Sequence, residues 1–213
     1  MIPLGDGFAP TSVLAIGAHS DDIEIGALGL ILRLRERQPA LAVDWIVLAA
    51  GDERANEARA SVKRLGGDKW SVQVFEHEQR YFPYLADLKH RFDQLGTTLD
   101  PDLILCPWAG DAHQDHRTVA NLVRETFRSH LRLEYEILKT DGDLGRPNLY
   151  VDLPEGLAER KIDHLLESFP SQAKRSWFTD SAFRGLMRVR GVESGAESGY
   201  AEAFFCQKAK LLT

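Results

Sequence analysis

Two short clusters of imidazole and carboxylate side chains carry most of the chemistry that this sequence suggests. The first cluster is Ala18-His19-Ser20-Asp21-Asp22-Ile23-Glu24, and the second is His113-Gln114-Asp115-His116-Arg117. Imidazole nitrogens and carboxylate oxygens are ligands of Zn²⁺ in catalytic sites, and a carboxylate that is not a ligand can act as a general base. Together the clusters predict a metal site with an acid–base group beside it.

The first cluster, taken alone, also has a simpler interpretation. Asp21 and Asp22 would cap a helix and favour its positive end, while His19 would bond to the backbone. In the second cluster, His113 and His116 are three residues apart, so both imidazoles would share one face of a helix. This spacing leaves open which of the two histidines is a ligand. Two such clusters, each following a buried strand, favour a functional site over two unrelated helix caps.

The segments around the clusters alternate between strands and helices. Short apolar runs predict buried strands at 12–18, 42–49, 71–75 and 102–106. Helical spacing of apolar residues predicts helices at 21–37, 53–65, 84–99 and 113–130, the second of which is closed by Gly66-Gly67. Farther along the chain we predict strands at 132–138 and 148–152, a helix at 155–168 and a mobile loop at the glycine-containing segment 185–199.

This alternation predicts an α/β fold with a mainly parallel, Rossmann-like sheet and helices on both faces, in three layers and as one domain over 1–213. Ligands of open α/β sheets bind beyond the carboxyl ends of strands, where both clusters lie. A nucleotide-binding module would begin in the same way. However, the turn after the first strand has no Gly-x-Gly-x-x-Gly, and its two aspartates would repel a pyrophosphate. A catalytically inert binding protein of the same fold remains an alternative.

The composition argues against several classes of partner. The 26 Lys and Arg residues oppose 32 Asp and Glu residues, and the net charge of −6 argues against nucleic acid. No apolar run is long enough to span a bilayer, and the first residues lack a basic segment leading into an apolar one. We therefore expect no membrane insertion and a cytoplasmic location. Cys106 and Cys206 lie far apart and predict free thiols rather than a disulfide.

Both clusters resemble motifs of the metal-dependent deacetylases named after the PIG-L and LmbE proteins. The family's Ala-His-Pro-Asp-Asp-x-Glu motif is similar to residues 18–24, with Ser20 in place of proline. Its His-Pro-Asp-His motif is similar to residues 113–116, with Gln114 in place of proline. Both departures replace a rigid residue with a flexible one and remove no ligand. Further similarity, at Arg54 with Glu57, Lys161, Ser171-Gln172 and 199–204, extends the resemblance over nearly the whole chain.

The resemblance implies that His19, Asp22 and His116 hold the metal. Zinc suits these nitrogen and oxygen ligands best, and Fe²⁺ would accept the same set. Asp21 would be the general base that deprotonates a metal-bound water for attack on the amide carbonyl. The reaction would be cleavage of a linear C–N amide bond.

The same resemblance assigns roles to residues around the metal. His113 would be a protonated partner of the oxyanion, held by Asp115, and this orientation requires the helix to begin after Asp115. Arg54 would bind substrate hydroxyls or a phosphate-like group; the alternative is a solvated side chain or an ion pair with Glu57. Glu24 is interpreted as structural. Independently of the resemblance, four aromatic residues in predicted loops would either stack on a sugar ring or pack in the core or at the rim: Tyr81, Phe82, Tyr84 and Trp108.

The activity implied by the resemblance is removal of an acetyl group from an N-acetylated amino sugar or sugar conjugate. The alternative within enzymes is an amidase that acts on a non-sugar amide or a thiol conjugate. Either Asp21 or His113 would return a proton to the leaving amine. The resemblance also allows a homo-oligomer, because members of the family often assemble.

Overall fold

The structure is a computed structural model that describes residues 7–66 and 69–210. Within these residues there are seven strands: β1 (Ser12–Gly17), β2 (Ala42–Val47), β3 (Trp70–Val74), β4 (Leu103–Pro107), β5 (Leu131–Tyr135), β6 (Leu149–Asp152) and β7 (Ala201–Phe205). The six α-helices are α1 (Asp22–Arg37), α2 (Asp52–Leu65), α3 (Ala86–Thr98), α4 (Gln114–Thr126), α5 (Glu155–Ser168) and α6 (Asp180–Ser194). None of the described helices is both long enough and apolar enough to cross a membrane.

All seven strands belong to one sheet, in the order β3-β2-β1-β4-β5-β7-β6. The first five strands in this order are parallel to one another. In their register, Ala15 in β1 pairs with Trp45 in β2 and with Leu105 in β4. β7 runs antiparallel to its neighbours β5 and β6. The order of the strands reverses between β1 and β4, and this reversal is the place where open α/β sheets bind ligands. The predicted α/β class with a mainly parallel sheet is confirmed.

The sheet is buried on both faces. In β1, Val13 and Ala15 pack into one hydrophobic core, whereas Leu14 and Ile16 pack into the other. Helices α1, α2, α5 and α6 cover the first face, and α3 and α4 cover the second. Two-sided burial explains why the strands read as continuous apolar runs rather than as an alternating pattern.

The prediction of a mobile loop at 185–199 is wrong, because most of this segment lies in α6. The Thr179 side chain accepts the backbone N–H of Ala182 at the start of the helix, and Gly195 ends it with a φ of +75°. Gly191 packs directly on the backbone of Gly199, where a Cβ atom would collide with the carbonyl group. Gly191 therefore allows close packing, whereas Gly195 allows the chain to turn. Composition alone does not distinguish these two roles of glycine.

Other differences are small. Gly66 ends α2 in the left-handed conformation, with a φ of +66°, as predicted, while Gly67 lies outside the described residues. The last strand, β7, was not predicted. Cys106 and Cys206 are free thiols, as expected.

Candidate metal centre

The two polar clusters lie at the carboxyl ends of neighbouring strands. β1 ends at Gly17, and α1 begins at Asp22 after a short turn that contains His19 and Asp21. β4 ends at Pro107, and His113 is the residue that caps the start of α4. Because β1 and β4 pair side by side, the two clusters meet above the strand ends.

Three donor atoms from these clusters form a compact triangle. His19 Nδ1 lies 3.2 Å from His116 Nε2, and Asp22 Oδ2 lies 3.3 Å from His116 Nε2 and 3.6 Å from His19 Nδ1. Ligands bound at about 2.0–2.1 Å to a tetrahedral zinc ion are roughly 3.3–3.4 Å apart. The triangle therefore has the size that such an ion needs. We call these three residues the donor triangle.

A carboxylate faces the outer nitrogen of each histidine of the donor triangle. Asp111 Oδ2 lies 2.9 Å from His116 Nδ1, and Asp115 Oδ2 lies 3.4 Å from His19 Nε2. A carboxylate in this position keeps the proton on the outer nitrogen, so that the inner nitrogen can offer its lone pair to a metal. Sequence reasoning missed Asp111, whose only signal was a carboxylate two residues before His113.

The structure places Asp115 differently from the expectation. α4 begins at Gln114, so Asp115 already lies within the helix. Its carboxylate accepts the backbone N–H of Arg80 at 2.6 Å and faces His19, while its own backbone N–H donates to His113 Nδ1 at 3.2 Å. Asp115 therefore orients His113 through the backbone. Arg80 has a φ of +68°, a left-handed conformation that non-glycine residues seldom adopt.

His113 lies beside the donor triangle rather than in it. Its ring centroid is 4.9 Å from that of His19 and 4.7 Å from that of His116. Burial and the two neighbouring imidazoles lower the pKa of His113, which favours the neutral ring over the protonated form that was expected. Because Nδ1 accepts a backbone N–H, the neutral ring carries its proton on Nε2 and can donate from there.

Asp21 is buried next to the donor triangle and pairs with Arg54. Arg54 Nη2 lies 2.5 Å from Asp21 Oδ1. Burial raises the pKa of Asp21, and the Arg54 guanidinium opposes this rise. Glu57, the alternative partner of Arg54, instead accepts both the backbone N–H and the hydroxyl of Ser171.

Opposite charges dominate the donor triangle. Burial disfavours the Asp22 carboxylate, but the adjacent His116 and His19 hold its pKa well below the usual range. Burial likewise disfavours a charged His116, yet Asp22 and Asp111 raise its pKa to about 10. The site thus attracts positive charge, and a metal ion would enter by replacing protons.

Glu24 is fully buried behind the site. Its Oε1 accepts the hydroxyl of Ser61 at 2.5 Å, and Ser61 Oγ lies 2.8 Å from His164 Nε2. Burial raises the pKa of Glu24 to about 8. These contacts join α1, α2 and α5 and agree with a structural role for Glu24.

The four aromatic residues divide into two pairs. Trp108 stacks on Phe205 with 4.3 Å between ring centroids, and Phe82 is buried with its ring centroid 6.4 Å from that of His19. These two side chains are used in packing. Tyr81 and Tyr84 are 51% and 78% exposed, so only this pair leaves ring faces open to a ligand.

Residues 14–127, which contain both clusters, match a protein-family model described as PIG-L, GlcNAc-PI de-N-acetylase. The N,N'-diacetylchitobiose deacetylase from Pyrococcus horikoshii is similar in structure, with a TM-score of 0.72, 21% identity, and coverage of 95% of this chain and 86% of that one.

Two further solved structures are similar over most of their length. The conserved protein TT1542 from Thermus thermophilus has a TM-score of 0.75, 17% identity, and coverage of 94% of this chain and 96% of that one. GalB, the 4-carboxy-2-hydroxymuconate hydratase from Pseudomonas putida, has a TM-score of 0.76, 18% identity, and coverage of 95% and 98%. At these identities the likeness shows the shared fold.

Proposed function

The chain belongs to the PIG-L family, whose model matches more than half of its residues, and on this basis we propose that it is a metal-dependent deacetylase. Its substrate would be an N-acetylated amino sugar or sugar conjugate. The observation that carries the proposal is the donor triangle with Asp21, a buried carboxylate outside the triangle, directly beside it. The family's description and the chitobiose deacetylase of the same fold support the sugar as substrate.

His19, Asp22 and His116 would hold the ion, most suitably Zn²⁺, with Fe²⁺ as the alternative. When bound, the ion would acidify a water molecule and polarise the acyl carbonyl. Asp21 would accept the proton of that water. Its pKa, raised by burial, lies closer to neutral pH, where a general base is most effective.

His113 and Arg54 would complete the reaction. The neutral ring of His113 would donate its Nε2–H to the developing oxyanion, a contact that contributes about 3 kcal/mol when it is preorganised. A neutral imidazole is a poor acid, so the proton held by Asp21 would pass to the leaving amine. Arg54 would hold Asp21 in place through Oδ1.

The proposal is tested by measuring acetate released from N-acetylglucosamine, N,N'-diacetylchitobiose and an N-acetylated thiol conjugate by the zinc-loaded protein. We expect release from at least one of the sugars. Asp21→Asn should lower kcat by about 10²–10⁴-fold without removing the metal, because it deletes the general base. Asp163→Asn, which changes an exposed carboxylate on α5, is the control.

Two results would contradict the proposal. One is acetate release that persists after Asp21→Asn. The other is a zinc-loaded protein that releases acetate from none of these substrates, which would favour a different reaction on this fold, since GalB is a hydratase. Release from the thiol conjugate alone would favour an amidase with a non-sugar substrate.

A further inference from the structure

We propose that Lys139 is a positioning residue for His116 and acts on it through Asp111. The inference rests on the proposed function, because it takes His116 to be a metal ligand. Lys139 follows β5, on a loop that is distant in sequence from both polar clusters.

Asp111 is the link between the lysine and the donor triangle. Its side chain is 3% exposed, and its Oδ2 lies 2.9 Å from His116 Nδ1 and 3.0 Å from Lys139 Nζ. Its Oδ1 accepts the backbone N–H of His113 at 2.6 Å. Both carboxylate oxygens are therefore engaged, and the plane of the carboxylate is defined.

Lys139 holds the loop between β4 and α4 at two neighbouring points. Besides its contact with Asp111, the ammonium group lies 2.5 Å from Asp143 Oδ2. The same carboxylate oxygen of Asp143 accepts the backbone N–H of Ala112 at 2.6 Å. The lysine side chain is 10% exposed, so these ion pairs are poorly screened by solvent.

Packing joins the same two loops a few residues away. Trp108, in the β4–α4 loop, stacks on Phe205 and covers Gly145, where a Cβ atom would lie 2.6 Å from the Trp108 ring. The loop that carries Lys139 and Asp143 therefore packs directly against the loop that carries Asp111.

The chemistry of the contact explains why the lysine matters. The Asp111 carboxylate, 2.9 Å from His116 Nδ1, favours a proton on that nitrogen, and Nε2 then faces Asp22 and His19 with its lone pair. Without Lys139, the buried carboxylate would lose its cationic partner, and burying an unpaired carboxylate is unfavourable. Asp111 would then turn away, and His116 would lose its orientation.

The test is a measurement of Zn²⁺ affinity by chelator competition, together with the visible spectrum of the Co²⁺-loaded protein, which reports the coordination geometry. Loss of a residue that directly orients a ligand costs about 10–100-fold in affinity. Lys139 acts one contact farther out, so Lys139→Met should raise the Kd for Zn²⁺ by about 5–10-fold and alter the Co²⁺ spectrum. Lys139→Arg keeps the charge and should restore both.

Lys89→Met is the matched control. Lys89 also pairs with an aspartate four residues later, Asp93, but on the exposed surface of α3. It should change neither the Kd nor the spectrum. If Lys139→Met does not fold, Lys139→Gln takes its place, with the same expected loss relative to Lys139→Arg.

The outcomes separate the two proposals. A wild-type protein that takes up no metal contradicts the proposed function itself. A wild-type protein that binds zinc while Lys139→Met leaves the affinity and the spectrum unchanged overturns only the role of Lys139. The role is also overturned if both neutral variants unfold while Lys139→Arg folds, because the lysine would then be needed for folding as such.

Discussion

At the scale of single residues, the ion pair of Arg54 and Asp21 would determine the pH range in which Asp21, the proposed general base, is deprotonated. Burial raises the pKa of Asp21, and the guanidinium 2.5 Å away opposes that rise. The base must be deprotonated to accept a proton. Under the proposed function, the pH at which activity falls on the acidic side would therefore depend on Arg54.

Arg54→Met should move the acidic limb of the pH profile of kcat/KM to higher pH, by about one unit or more, because an adjacent opposite charge shifts a carboxyl pKa by about 1–3 units. The profile is measured with the zinc-loaded enzyme. Arg59→Met, on the exposed side of the same helix, serves as the control and should leave the limb in place. An unmoved limb, or one moved to lower pH, would argue against Asp21 as the base.

At the scale of elements, α1 carries Asp22 in its first turn, and side chains from α5 and β7 bond to the backbone farther along this helix. Lys161 Nζ donates to the carbonyl oxygen of Ile25 and to Glu202 Oε1, both at 2.6 Å. Glu202 in turn accepts the backbone N–H groups of Gly29 and Leu30. A buried ion pair from α5 and β7 thus bonds to backbone groups in the middle of α1.

Lys161→Met should lower the free energy of unfolding by about 3–5 kcal/mol, because it leaves Glu202 buried without its cation. Urea denaturation measures this loss. Arg160→Met, the neighbouring residue on α5, breaks only the exposed pair with Glu36 and should have little effect. Equal losses in the two variants, or a loss below about 1 kcal/mol for Lys161→Met, would show that the buried pair is not what holds α1.

The elements that position the site could be predicted from the sequence. β1 and β4 are buried on both faces and therefore read as continuous apolar runs, and α5 has the predicted bounds, 155–168. α6 was misread because Gly191 and Gly195 resemble loop residues, although one packs closely and the other ends the helix. β7 was not predicted because it contains a charged residue, Glu202. This residue is buried in an ion pair with Lys161, and the sequence does not show that the two residues meet.

At the scale of the whole molecule, the site exists because β1 and β4 are neighbours although two strands and three helices separate them along the chain. Periodicity predicts strands but not which strands pair, so the donor triangle could be named from resemblance but not from spacing. The contacts that surround the donor triangle, such as that of Lys139 with Asp111, could not be predicted for the same reason. Lys139 lies 28 residues from Asp111 and meets it only because β5 pairs beside β4.

The most direct test of the central claim is a calorimetric titration of the metal-free protein with Zn²⁺. The account predicts one tightly bound ion per chain. This ion is lost in His116→Ala and retained in His113→Ala, because His116 belongs to the donor triangle and His113 does not. Circular dichroism would show that both variants are folded. A wild-type chain that binds no zinc, or a tight site that survives His116→Ala but not His113→Ala, would contradict it.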